Sequence, residues 1–224
     1  MKIIRRNKLR RGGFAGLRET RLVMSSRLFS GHQEAGTSAG MGRFVYLADA
    51  SFLPHGETRM HTHREIDVIS VMVAGRIQHE GSLEHGQELH VDNIQVQRAG
   101  GDGFSHNEIN PDPSKNRMIQ LWVLPETPGE PATYQMFQAQ SNGRTRIYGG
   151  PDDQDVTFAA RLIIEIVHLD NGGRVEQPGQ SIVYVTIGEG TCGEEIIKEG
   201  DLVETRDFNY MAAADSKLIL IYEI

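Results

Sequence analysis

Short runs rich in Val, Ile, Leu and Tyr recur along this chain, each ended by Gly, Pro, Asn or Asp, and long helical periodicity is scarce. Runs of that length cannot make a packed helix, but they suit strands that turn back repeatedly. The expected strands are 44–48, 67–74, 75–80, 93–98, 117–123, 160–168, 181–187, 201–204 and 218–223. The run 118–124 stops at Pro125, which cannot donate to a β-ladder. An all-β sandwich or barrel, with few short helices, follows.

The two halves resemble each other in outline. Ile69-Ser70-Val71-Met72-Val73-Ala74-Gly75 parallels Ile182-Val183-Tyr184-Val185-Thr186-Ile187-Gly188, a repeat far longer than a solenoid unit. Two similar small barrels are expected, one over 1–135 and one over 136–224. The proline-rich stretch 125–131 reads as the crossover between them, extended by its X-Pro steps.

Composition excludes several classes. The formal net charge of -7 gives no reason to expect nucleic acid as a partner, and the basic run Arg5, Arg6, Lys8, Arg10 and Arg11 reads as a solvated stretch. No segment approaches the roughly 18 apolar residues of a membrane span, and no apolar signal stretch follows the basic start. The single cysteine, Cys192, cannot form an internal disulfide and fits a reducing compartment, so a cytoplasmic protein is expected.

Two clusters carry the chemistry. In His61-Thr62-His63 and His106-Asn107-Glu108, alternation along a strand turns both members of each pair to one face. Three imidazoles and a carboxylate, meeting from two strands, would hold one metal with positions left for water or substrate. Structural zinc usually recruits thiolates, and one cysteine cannot supply them, so an open catalytic-type site is favoured. Asp67 lies four residues after His63 and would share its parity on a continuous strand. Parity alone does not choose between Asp67 and Glu108, and the one left over could orient a ligand imidazole.

These residues carry a family resemblance. Gly56 to Gly75, with His61-Thr62-His63 and Asp67, resembles the first cupin motif. Gly100-Gly101-Asp102-Gly103-Phe104-Ser105-His106-Asn107-Glu108-Ile109-Asn110-Pro111 resembles the second. His-x-His-Arg, then a glycine-rich loop and His-x-Glu-x-Asn-Pro, with Gln120-Leu121-Trp122 beyond, is similar to the pirin branch, over about residues 15 to 125. Thr62 and Asp67 depart from that branch, which commonly has proline and glutamate there, and Phe29-Ser30-Gly31-His32 matches only faintly.

The resemblance implies a bicupin, two facing antiparallel jelly-roll barrels with the metal in the N-terminal one. It implies His61, His63, His106 and Glu108 as ligands of one divalent metal, with Asp67 as a non-ligand neighbour. Iron is expected first, and Zn, Mn, Ni or Cu are alternatives. It further implies either a flavonol (quercetin-type) 2,4-dioxygenase using O2, with Glu108 as base, or a redox-sensing regulator that binds a partner protein. A zinc isomerase or hydrolase on the same fold is a third possibility.

Bland readings fit the rest. His32, His55, His79, His85, His90 and His168 are expected on the surface or satisfied in the core, with His79, His85 and His90 solvated around the turn 81–86. Gly100, Gly101 and Gly103 lack the Gly-Lys-Ser/Thr ending of a phosphate loop and suit a tight turn. Cys192 has no nearby histidine to activate it. Phe44, Tyr46, Trp122 and Phe137 are expected in the core.

Overall fold

The computed structural model describes all of residues 1–224, and nearly every ordered element is a strand. The chain opens with β1 (Lys2–Arg5) and a single 3-10 turn. It continues through β2 (Arg11–Gly12), β3 (Leu17–Met24), β4 (Phe44–Phe52), β5 (His61–His63), β6 (Asp67–Ala74), β7 (Ile77–Gly81) and β8 (Gln87–Leu89). Then come β9 (Asn93–Arg98), β10 (Phe104–Ile109), β11 (Arg117–Val123) and β12 (Thr133–Gln138). The one α-helix, Ser26–Phe29, is capped by the Ser25 hydroxyl, which accepts from the Arg27 amide.

Residues Leu9–Gln138 form one compact unit. Its strands make a seven-stranded antiparallel sheet in the order β12-β9-β6-β11-β4-β3-β2 and a four-stranded sheet in the order β5-β10-β7-β8. Leu17, Ala50, Phe52, Met72 and Met118 of the larger sheet pack against Ile77 and Leu89 of the smaller one. Burying each such aliphatic or aromatic side chain stabilises by about 1.5–3 kcal/mol. Strand β6 is central, and its residues are buried from Asp67 to Val73, which explains the run after Asp67, apolar except for Ser70. Gly75, at φ 70°, is the corner where the chain leaves the large sheet for the small one. A Cβ there would lie 2.8 Å from Asn116 Cβ, while the Asn116 amide donates to the Arg76 carbonyl at 2.9 Å.

The second unit comprises Met1–Lys8 and Ala139–Ile224. It adds β13 (Gly143–Gly150), β14 (Ala160–Leu169), β15 (Arg174–Ile187), β16 (Glu189–Cys192), β17 (Glu195–Lys198), β18 (Asp201–Ala212) and β19 (Ser216–Glu223). They form one antiparallel sheet in the order β13-β14-β19-β15-β18-β16-β17, with β1 paired to β18. Its core gathers Val183, Val185, Ile197, Val203, Phe208, Tyr210, Leu218 and Leu220. No helix is long and apolar enough to cross a membrane.

The division between compact units falls after Gln138, near the expected 135/136, and residues 1–8 belong to the second unit. Segment 125–131 is a loop inside the first unit, because β12 beyond it still pairs with β9 in register from Thr133↔Arg98 to Gln138↔Asn93. Two members of the basic N-terminal run meet their own chain, Arg5 with Asp201 at 3.4 Å and Arg6 with Glu199 at 3.2 Å, and the preceding Lys2 meets Glu204 at 3.3 Å.

Candidate metal centre

Strand pairing brings the two histidine clusters together. β5 runs antiparallel to β10 with His61 opposite His106 and His63 opposite Phe104. Because side chains alternate along each strand, His61 and His63 face the same side as His106. Gly103 sits at the turn before β10 with φ 75°, and a Cβ there would stand 2.7 Å from the His63 carbonyl oxygen. A side chain at 103 would therefore push β5 away from β10.

The three imidazoles converge through the same atom. His106 Nε2 lies 3.0 Å from His61 Nε2 and 3.2 Å from His63 Nε2, and the donor nitrogens of all three lie within 4.8 Å of one another. Two nitrogens at right angles on a metal with bonds of about 2.1 Å stand about 3.0 Å apart, so this spacing suits a common ion. His61 Nδ1 faces the Arg59 carbonyl at 2.8 Å; its N–H donates there, which leaves Nε2 with the lone pair. His106 is fully buried while His61 and His63 are half-buried, so the cluster has an open side.

Electrostatics keeps the His63 and His106 rings neutral and able to ligate. Burial, then the neighbouring charge of His61, brings His63 down to about 4. Burial and the surrounding histidines His61, His63 and His79 push His106 down to about 2.

Glu108 is fully buried on the same strand but stands outside the imidazole group. Its Oε1 accepts from Ser70 Oγ at 2.8 Å and Gln95 Nε2 at 2.9 Å, and its Oε2 from Gln120 Nε2 at 3.4 Å. Burial raises its carboxyl to about 7 against the lowering effect of those three donors. Asp67 is also outside the group. Residues 64–66, with Glu65 at φ 52°, separate β5 from β6, so the continuous strand that would have given Asp67 the parity of the histidines does not exist. Asp67 instead lies 3.6 Å from Arg98, which also meets Glu130 at 2.9 Å.

His79 overturns one expectation. It is fully buried rather than solvated, lying opposite Glu108 on β7, with its ring 5.5 Å from that of His106 and 5.9 Å from that of Tyr134. Its Nε2–H donates to the Leu83 carbonyl at 3.0 Å, and burial lowers its pKa. The signal was available: His79 shares strand parity with the core residue Ile77. His85 and His90 are exposed, as expected.

The expected strand at 93–98 holds two further residues whose roles were missed. Gln95 and Gln97 are both fully buried on one face of β9, the first bonded to Glu108 and the second 3.4 Å from His106 Nδ1. An aromatic wall flanks His63: Phe104 at 5.3 Å and Trp122 at 5.6 Å, with Tyr46 stacked on Trp122 at 4.3 Å. Phe44 and Tyr46 are core residues as expected, whereas Trp122 and Phe137 are only half-buried.

The donor set of three imidazoles, with a buried carboxyl on the same strand as His106, is of the kind that first-row transition metals take. With that geometry in place, the Pirin family model matches residues 25–123. Residues 25–123 are a pirin domain. A candidate quercetin 2,3-dioxygenase of Zymomonas mobilis is 25% identical over 175 residues, covering 72% of this chain and 74% of that protein. A second candidate of the same name from Pasteurella multocida is 31% identical over 101 residues, covering 44% of this chain and 42% of that one. Among solved structures, the Escherichia coli bacterial pirin YhhW in complex with nickel(II) superposes with a TM-score of 0.83 at 16% identity. The match covers 98% of this chain and 97% of YhhW, so the pirin fold extends across both compact units. The all-β architecture expected from the motifs is the one observed, and it matches the fold of YhhW.

Proposed function

We propose that this pirin-like chain binds one transition-metal ion and acts as a dioxygenase that opens a flavonol-type aromatic ring with O2. The observation that carries this reading is the convergence of three Nε2 atoms at 3.0 and 3.2 Å. His61, His63 and His106 would hold the metal. Glu108 either completes the donor set or keeps its present partners and takes a proton from substrate. Iron is the metal assigned first, with zinc, manganese, nickel and copper as alternatives, and the reducing cytoplasm is the assigned compartment. When bound, the metal supplies Lewis acidity towards a substrate hydroxyl and the redox capacity that chemistry with O2 needs.

The chain's own residues supply the rest. A carboxyl held near 7 by burial can accept a hydroxyl proton and return it at neutral pH, where general acid–base catalysis is most effective. Ser70 and Gln95 fix the Oε1 atom, so the proton's destination is set before substrate arrives. Phe104 and Trp122 present apolar surface beside His63, which suits a flat aromatic ligand and excludes water. The names of the Zymomonas and Pasteurella relatives support the same substrate class. Oxygen uptake with quercetin, followed after loading with iron or copper, tests the reading. Absence of turnover with every loaded metal would remove the dioxygenase, and zinc as the sole metal taken up would favour hydrolase or isomerase chemistry instead.

A further inference from the structure

The second unit carries charge on the core face of its sheet. In the register of β13 with β14, Arg144 stands opposite the core residue Val167, and Arg146, two residues on, stands opposite Glu165. Alternation therefore turns Arg144, Arg146 and Glu165 towards the core side. Arg146 and Glu165 hold the register in which opposite charges ordinarily meet across a strand pair. They do not meet here. Arg144 takes the carboxylate from the diagonal position, Nη1 to Oε2 at 3.1 Å, and also donates to Gln177 Oε1 at 3.0 Å and to the Glu176 carbonyl. The Arg146 guanidinium lies instead over Gly150, where a Cβ would stand 3.2 Å from its Nη1. It is half-buried and makes no hydrogen bond or ion pair.

A second unmet group shares that face. Ser181 of β15 stands opposite Tyr222 of β19, just as Val183 stands opposite Leu220, and Leu220 opposite Glu165. Ser181 is fully buried, and its hydroxyl has no hydrogen-bond partner. The half-buried Tyr222 links the two ends: burial and then Glu165 raise its pKa, while Arg144 and Arg146 act on it in the opposite sense. A half-buried cation without a counter-charge and a buried hydroxyl without a partner are each costly, and one anionic ligand would relieve both. We propose that this end of the second sheet binds a small molecule bearing a carboxylate or phosphate group, which pairs with Arg146 while the rest of the ligand reaches Tyr222 and Ser181. A planar guanidinium recognises either oxyanion through paired N–H donors. The formal net charge of -7 repels anions from the chain as a whole, so binding here needs a local site. The inference does not depend on the metal centre.

The test titrates the full chain with inorganic phosphate and, separately, with succinate, holding ionic strength constant with chloride. The side-chain Nε–Hε resonance of Arg146 reports the site, and thermal unfolding reports stabilisation by whatever binds the folded state. The Arg146 signal should shift saturably with at least one of the two probes, and the better probe identifies the ligand's charged group. Arg146→Met, which keeps the length of the stem without charge or donors, should weaken binding of that probe about ten-fold or more. Ser181→Ala should weaken it by about two- to five-fold, through loss of one neutral donor. No saturable shift of Arg146 with either probe, or equal affinity in wild type and a folded Arg146→Met, overturns the proposal. Should Arg146→Met fail to fold, Arg146→Lys takes its place: it keeps the charge but loses the paired donors, and affinity equal to wild type there counts against the site.

Discussion

The two compact units use the same antiparallel strands for different ends. In the second unit the core cluster is apolar apart from the Tyr210 hydroxyl, which meets Ser216 Oγ at 3.1 Å, six residues away. In the first unit a row of polar groups on β6, β7, β9 and β10 is fully buried: Ser70, His79, Gln95, Gln97, His106 and Glu108. Burying such groups costs free energy unless each finds a partner, and several find theirs only across neighbouring strands. One unit therefore holds its shape through packing, while the other gives up some packing to fix a constellation of donors.

That contrast can be broken by substitution. The largest effect on stability should come from the second unit: Leu220→Ala, at a fully buried position, should cost about 2–5 kcal/mol in chemical denaturation. Metal taken up per folded molecule should stay unchanged. His106→Ala should do the reverse, lowering metal affinity by about a hundredfold or more in a titration while the protein stays folded. Gly103→Ala is expected to affect both properties. It places a methyl against the His63 carbonyl at a positive φ, so it should destabilise by about 1–2 kcal/mol and weaken metal binding with it. Lys2→Ala, which removes an exposed ion pair, should change the denaturation midpoint by less than about 0.5 kcal/mol.

Acidity sharpens the same comparison. His63 and His106 have folded pKa values below the ordinary 6.5, so the unfolded chain binds their protons first. The metal-free protein should lose stability as pH falls from about 6.5 towards 4, each group contributing a slope of at most about 1.4 kcal/mol per pH unit. Glu108 works oppositely. Its folded pKa is raised to about 7, so its contribution is complete below about 4.5 and is lost as pH rises through 7. Denaturation across pH 4–8 should show the metal-free protein most stable inside that window. In His106→Ala the acid limb should shrink.

The legible part of this molecule was what strand periodicity controls. Two pairs at i and i+2 were enough to place His61, His63 and His106 on converging faces, and β5 opposite β10 delivers them. Asp67 failed that logic because the backbone turns at 64–66, and a turn resets parity. Gln95 and Gln97 were harder to read because polar residues on one face of a strand ordinarily mark solvent. Here the polar face of β9 points inward, and only the partner sheet carrying His106 and Glu108 explains why it is tolerated. The unit boundary was obscured because β12 looks like the start of a new half, while its hydrogen bonds return it to β9.

The most direct measurement is calorimetric titration of Ni(II) or Fe(II), under anaerobic conditions, into metal-free protein and into the variant carrying His61→Ala, His63→Ala and His106→Ala together. Wild type should take up one ion per chain and the folded triple variant none. Uptake at the same stoichiometry and affinity by the triple variant, or no uptake by wild type, would contradict the account.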